Sequence, residues 1–286
     1  MNLNKLLPKL LLATFLLFIA SRQLSYATGG FPDRPGRLII SASASYFFAN
    51  SGWDTLGVKR PFANNGQYSS IGFTMFAEYG ISRRFAAVVT VPYVINNYQQ
   101  DGSPATKSMG LTDMETGLKY YLANIAHIYY FSLQATAITP LYTSTDQSLG
   151  YKEEGAELKL AFSGTGHLFG GASYFNLDDG VRQYFGTNGP IQDRYNATYG
   201  VSLDKKFYNQ LSVSLGGIYS QSNDTRFSHI FGTNKDFSFV QASLSYGHSF
   251  GREFSIFISG GKFITGRNTG DGMTGTFALI YKLDYH

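Results

Sequence analysis

Hydrolytic chemistry in this chain of 286 residues would have to rest on two serine–histidine neighbours, Ser228-His229 and His248-Ser249. A nucleophilic hydroxyl needs a base within hydrogen-bond reach and a third group to orient that base. Residues adjacent in sequence seldom place a hydroxyl on the neighbouring ring, and neither pair lies in a hydrolase motif, so no catalytic residue is expected and the chain reads as a non-enzyme. His127, His167, His229 and His248 are scattered and lack metal-ligand spacing. Asp178-Asp179, and Asp271 in its glycine-rich setting, have the composition of a calcium loop but read as solvated turns. Cysteine is absent, which removes thiol chemistry, disulfides and a lipoprotein anchor. Neither a metal nor a cofactor is expected.

A different chemistry lies in ionisable residues spaced two or four apart. Asp113, Glu115 and Lys119 fall on one face of an extended segment, where positions two apart lie about 7 Å from each other. Arg37, Glu78, Tyr121, Glu157, Lys159 and Lys282 occupy equivalent positions in other extended segments. Together these nine are the candidate inner-face residues. Asp113, Glu115, Lys119, Glu78 and Lys159 can make a ring of charge, and two roles remain open for it: a constriction that sorts solutes by charge, or an ion-pair network that plugs and stiffens the interior.

The elements that must position these side chains have a period of two. Phe277, Leu279, Tyr281, Leu283 and Tyr285 alternate with Ala278, Ile280, Lys282 and Asp284, and Ile71, Phe73, Met75, Ala77 and Tyr79 alternate with Ser70, Gly72, Thr74, Phe76 and Glu78. The pattern predicts about twelve strands, at 37–48, 69–79, 85–95, 110–122, 128–139, 156–163, 168–175, 195–203, 211–220, 237–247, 254–262 and 274–285. Short turns are expected near 80–84, 123–127, 163–167, 204–209 and 248–253, and long polar loops near 49–68, 96–109, 140–155, 176–194, 221–236 and 263–273. Alternation of short and long connections, with an even strand count, is the pattern of an all-β, transmembrane, antiparallel up-and-down barrel with both termini in the periplasm.

The charged set cannot fill a dry core without a heavy desolvation cost, so it is expected to face a wet or internally paired lumen while the Leu/Val/Phe/Tyr set meets lipid. Tyr79, Tyr93, Tyr120, Tyr129, Tyr199, Tyr219, Tyr246 and Tyr285 are expected in interfacial girdles. Tyr121, Tyr130, Phe47 and Phe76 are expected to point inward, either as packing or as a slide for aromatic solutes. Charged residues make up 15% of the chain, the net charge is +4 and no Lys/Arg run occurs, which gives no reason to invoke nucleic acid.

Residues 10–20 form an apolar core preceded by Lys5 and Lys9 and followed by Ser25-Tyr26-Ala27, which reads as a signal peptide cleaved after Ala27. It is far shorter than the ~20 residues of a spanning helix. The domain reading is therefore residues 1–27 as signal and 28–286 as barrel.

Several segments carry a resemblance. Glu78-Tyr79-Gly80-Ile81-Ser82-Arg83-Arg84-Phe85 with Thr90-Val91-Pro92-Tyr93, then Gly110 to Tyr120, then Ile138-Thr139-Pro140, resemble the outer-membrane family named for the meta-pathway of phenol degradation. The chain departs from that pattern at Ser82-Arg83 and in ending on His286 instead of phenylalanine. The resemblance covers residues 78–140 best. It implies a porin-like channel or facilitator in a Gram-negative outer membrane for small molecules, hydrophobic or aromatic ones among them. The partners implied are outer-membrane lipid and lipopolysaccharide, the solute, and the barrel-assembly machinery during insertion. The alternative on the same scaffold is a closed structural or adhesive barrel acting through outer loops, above all Ala49–Tyr68 with Trp53, and Asn176–Arg194.

Overall fold

The computed structural model describes residues 29–143, 149–168, 171–205, 208–228 and 230–285, so the expected signal peptide, His229 and His286 lie outside the described residues. The strands are β1 (Arg37–Trp53), β2 (Lys59–Pro61), β3 (Gln67–Gly80), β4 (Phe85–Gln100), β5 (Ser103–Leu111), β6 (Asp113–Ile125), β7 (Tyr129–Pro140), β8 (Gly155–Leu168), β9 (Gly171–Tyr184), β10 (Ile191–Ser202), β11 (Asn209–Gln221), β12 (Phe237–Ser249), β13 (Phe254–Arg267) and β14 (Thr269–Asp284). Successive strands pair antiparallel, and β14 pairs back onto β1 from Arg37–Asp284 to Trp53–Thr269. Because β2 is a short loop addition and β5 continues into β6, the result is a closed antiparallel barrel of 12 strands. Among the described residues no helix is long and apolar enough to cross a membrane.

Each of the twelve expected strands is present, but several connections are not where composition placed them. The segments 96–109, 176–194 and 263–273 were expected as loops; instead β4 and β5 turn at Asp101–Gly102, β9 and β10 are joined by residues 185–190, and β13 and β14 by Asn268. The expected turn at 163–167 lies inside β8. The physical reason is that a strand needs backbone partners more than apolar side chains: polar residues continue the ladder wherever the neighbouring strand extends as far. Strands of 14 to 17 residues overshoot the roughly 9–11 needed to cross a bilayer, so the excess stands in water and is free to be polar. Asp178 and Asp179 accordingly sit in β9, and Asp271 sits in β14 paired with Lys59, not in solvated turns.

Proline marks one break in the wall. Pro92 lies inside β4 without ending it, whereas the facing ladder is interrupted at Thr112, whose N–H donates to the Pro92 carbonyl at 3.0 Å. Pro140 does close β7. In the turn between β3 and β4, Ser82 Oγ accepts from the Arg84 and Phe85 amides at 3.2 and 3.1 Å, which accounts structurally for a serine in that motif.

The two faces differ sharply. Outside, apolar side chains are left exposed in rows, among them Phe73 (47%), Met75 (52%), Leu158 (55%) and Ile258 (59%). Such a contiguous apolar surface is stable only against hydrocarbon or another apolar surface. Inside, Glu78, Lys119, Ser132, Lys159, Arg182 and Ser214 are buried. Polar inside and apolar outside inverts the order of a water-soluble barrel.

Candidate functional site

Cross-strand register sets Glu78 opposite Val88, Lys119 opposite Ala86 and Gln134, and Glu157 opposite Thr136 and Arg182, and of the nine candidate residues Glu78, Lys119, Glu157 and Lys159 are buried. They do not make one ring. Glu78 and Lys119 form a buried pair at 2.9 Å near the rim that carries the termini, joined there by Asp33 at 3.3 Å from Lys119 Nζ. Glu115 and Glu157 belong to a second cluster, with Arg182 and Arg194: Arg182 binds Glu115 closely and Glu157 at 2.7 Å, and Arg194 lies 2.9 Å from Glu157 and 3.6 Å from Glu115. Lys159 adds positive charge beside Glu157. Asp113 accepts from the Tyr184 hydroxyl at 3.2 Å, and Tyr184 in turn lies 3.4 Å from Arg182.

Two arginines against two glutamates is a neutral set, and charges of opposite sign within hydrogen-bond distance offset the cost of removing them from water. Arg37 and Asp284 pair at 2.6 and 2.8 Å at the terminal rim, and the ammonium of Lys282 belongs to the neighbouring inner position on β14. Tyr121 sits near the same rim, accepting from Asn124 at 2.6 Å, apart from either cluster.

Asp33, Arg182 and Arg194 escaped the sequence reading. Both arginines lie in the stretch 176–194, whose polar composition predicts a loop; the alternation of Arg182 and Tyr184 in β9, and of Gln192 and Arg194 in β10, is the strand signal it carries. Asp33 arrives on a segment that no periodicity marks. Residues 29–36 fold into the barrel mouth: Gly30 N donates to Ser163 Oγ at 2.6 Å, Ser132 Oγ donates to the Gly29 carbonyl at 3.2 Å, and Phe31 lies 5.1 Å from the Tyr130 ring. Gly30 has to be glycine there, because a Cβ would overlap the Tyr130 carbonyl oxygen and approach the Ser163 nitrogen at 3.0 Å. Tyr130 and Ser163 thus serve as a dock for the N-terminal segment.

The opposite mouth is covered by loops. Phe231, in a short 3-10 turn at Phe231–Thr233, packs on Tyr68, Phe62 and Phe47 at 4.8, 5.7 and 6.4 Å. Tyr151 holds that loop through Asn234 O at 2.7 Å, and Arg267 binds Asp236 at 2.6 and 3.0 Å. Farther out, Arg226 bonds Asp224 and holds its carboxyl down to about 2. Trp53 was expected on an exposed loop; it is 7% exposed and clusters with Ile218, Phe237, Phe239 and Phe263, because β1 runs on past the bilayer and buries its end.

Between the mouth and the arginine cluster lies a cavity of about 430 Å³. Phe47, Phe231, Phe237, Phe239 and Phe263 line one side, and Asp113, Glu115, Arg182 and Arg194 the other. That volume lies within the range of small-molecule sites. An aromatic wall facing hydrogen-bonding groups can hold a molecule with a flat apolar body and a polar end. Of the two serine–histidine neighbours, His229 lies outside the described residues, and in the other His248 Nδ1 faces Asn209 Oδ1 at 2.7 Å while Ser249 Oγ faces Ser255 Oγ at 2.9 Å. No group of three or more His, Asp or Glu able to hold a metal occurs among the described residues.

No family model and no curated protein matches the chain. Among solved structures it is similar to the COG4313 outer membrane channel from Pseudomonas putida F1, with a TM-score of 0.70 and 12% identity over 92% of this chain and 100% of the other. The beta domain of the Bordetella autotransporter BrkA superposes with a TM-score of 0.49 and 12% identity, over 85% of this chain and 98% of that one. The first likeness establishes the fold as that of an outer-membrane β-barrel.

Proposed function

We propose that the chain inserts into the outer membrane of a Gram-negative bacterium and lets small molecules, hydrophobic or aromatic ones among them, pass through its barrel. The observation that carries this reading is the cavity of about 430 Å³ walled by aromatic rings inside a barrel that turns its apolar face outward. Several features are part of the proposal: removal of residues 1–27 as a signal peptide, insertion by the barrel-assembly machinery among lipid and lipopolysaccharide, and periplasmic placement of the rim formed by Arg37 and Asp284. Membership of the phenol-degradation outer-membrane family is supported by the motif residues 78–140 and by the likeness to a solved channel. The charge clusters act in this reading as positioning networks that keep β6, β8, β9 and β10 in register around the cavity.

A closed structural or adhesive barrel is favoured by one specific observation, the burial of inner-face residues such as Glu78 and Ser132 beside the N-terminal segment, where Ser132 bonds Gly29 and Glu78 shares Lys119 with Asp33. Reconstitution separates the two. The transport reading expects ion conductance in planar bilayers and swelling of liposomes in small solutes. A folded, inserted protein with neither would overturn transport, and loss of surface binding on removal of residues 54–66, the connection between β1 and β3, would then support the adhesive barrel.

A further inference from the structure

Two cavities lie one below the other within the barrel, and Phe47 and Phe263 line both. The outer is the aromatic one already described. The inner, about 180 Å³, is displaced toward the terminal rim and walled by the hydroxyls of Ser45, Ser243, Ser259, Thr274 and Thr276. The rings of Phe47 and Phe263, 5.3 Å apart and tilted, form the partition between an apolar chamber and a hydroxyl-lined one.

The two rings are held very differently. Phe263 is 8% exposed and stacked on Phe239, with centroids 4.3 Å apart and planes at 10°. Phe47 is half-buried and meets its neighbours only tilted or edge-on, at 5.8 Å from Tyr68 and 6.4 Å from Phe231. Its ring lies over Gly272 of β14, where a Cβ would overlap the ring carbons, so the bare glycine backbone is what gives the ring a seat in the wall. An unstacked side chain with a staggered alternative rotamer turns far more readily than a stacked buried one.

We infer that Phe47 is a hinged leaf that closes the passage between the two chambers. Resting on the transport reading, this assigns the rate-setting constriction to one aromatic ring instead of to the charge clusters. A solute advances by taking over the ring contacts that Phe47 makes with Phe231 and Tyr68, for which a flat apolar molecule is best shaped.

The test compares wild type, Phe47→Ala and, as a packing control on the outward face, Phe162→Ala, which removes a ring stacked on Phe131 at 4.6 Å. Folding is verified by heat-modifiable gel migration, then single-channel conductance in potassium chloride and arabinose-driven liposome swelling are measured. Phe47→Ala is expected to raise both several-fold, with Phe162→Ala matching wild type. If wild type conducts and Phe47→Ala conducts no better, or if Phe162→Ala rises equally, the leaf is overturned and the transport reading stands. If all three are silent, the transport reading falls and the leaf with it. Should Phe47→Ala fail to fold, Phe47→Leu keeps the apolar packing while shortening the reach, and the same outcomes decide.

Discussion

Replacing Arg182 by methionine should cost the barrel about 3 kcal/mol, and the structure shows why the figure sits at the low end of the 3–5 kcal/mol expected when one partner of a buried ion pair is removed. Arg182 has 5% of its side chain exposed and touches Glu115 and Glu157, which are 27% and 5% exposed. Without it two carboxylates remain in a poorly solvated place. Arg194, however, already stands 2.9 Å from Glu157 and 3.6 Å from Glu115, and takes over part of the compensation. A loss of about 3 kcal/mol changes the folded-to-unfolded ratio more than a hundredfold. Trp53 is the only tryptophan and is 7% exposed in its aromatic cluster, so its fluorescence reports unfolding in urea from lipid vesicles. The decisive comparison is Arg182→Met against Arg182→Met with Glu115→Gln and Glu157→Gln, in which the uncompensated charges are gone and most of the stability should return. A single mutant within about 1 kcal/mol of wild type, the range of an exposed pair, or a triple mutant no more stable than the single, would refute the view that these charges stabilise one another in a dry wall.

Phe73→Arg, on the outward face where Phe73 is 47% exposed, should destabilise the lipid-inserted barrel by about 2–4 kcal/mol, measured by the same unfolding assay; a neutral effect would mean that this face meets water. Gly30→Val places a branched side chain against the Tyr130 carbonyl and should release residues 29–36, seen as new protease cleavage in that segment, and protection equal to wild type would contradict the dock. Asp224 is held at about 2 against an ordinary 3.8 by Arg226, so the contribution of that pair is complete above pH 3.8 and is lost as pH falls through about 2. Its carboxyl resonance should accordingly titrate with a midpoint near 2, and Arg226→Ala should return the midpoint toward the ordinary value.

The local pattern of apolar and polar residues already contains the strand set and the sense of its two faces. Alternation such as Ile71, Phe73, Met75 against Ser70, Thr74, Glu78 has a period that only an extended chain satisfies, and the charges on one side decide which side avoids hydrocarbon. That information is carried by neighbours two apart, and so it survives without knowledge of partners. The heights of the charge clusters, the burial of Trp53 and the lengths of β9, β10 and β13 depend instead on which residue faces which across strands. Arg182 meets Glu115 from 67 positions away, and Lys119 meets Asp33 from 86. Cross-strand register and barrel closure, which no local window contains, bring these groups together; the ladder also lets polar stretches continue as strand wherever a neighbour offers its backbone. The N-terminal segment shows the same division: Gly29, Gly30 and Phe31 carry no periodic signal, and their place inside the barrel follows from Ser132, Ser163 and Tyr130 arriving at one level of the opposite wall.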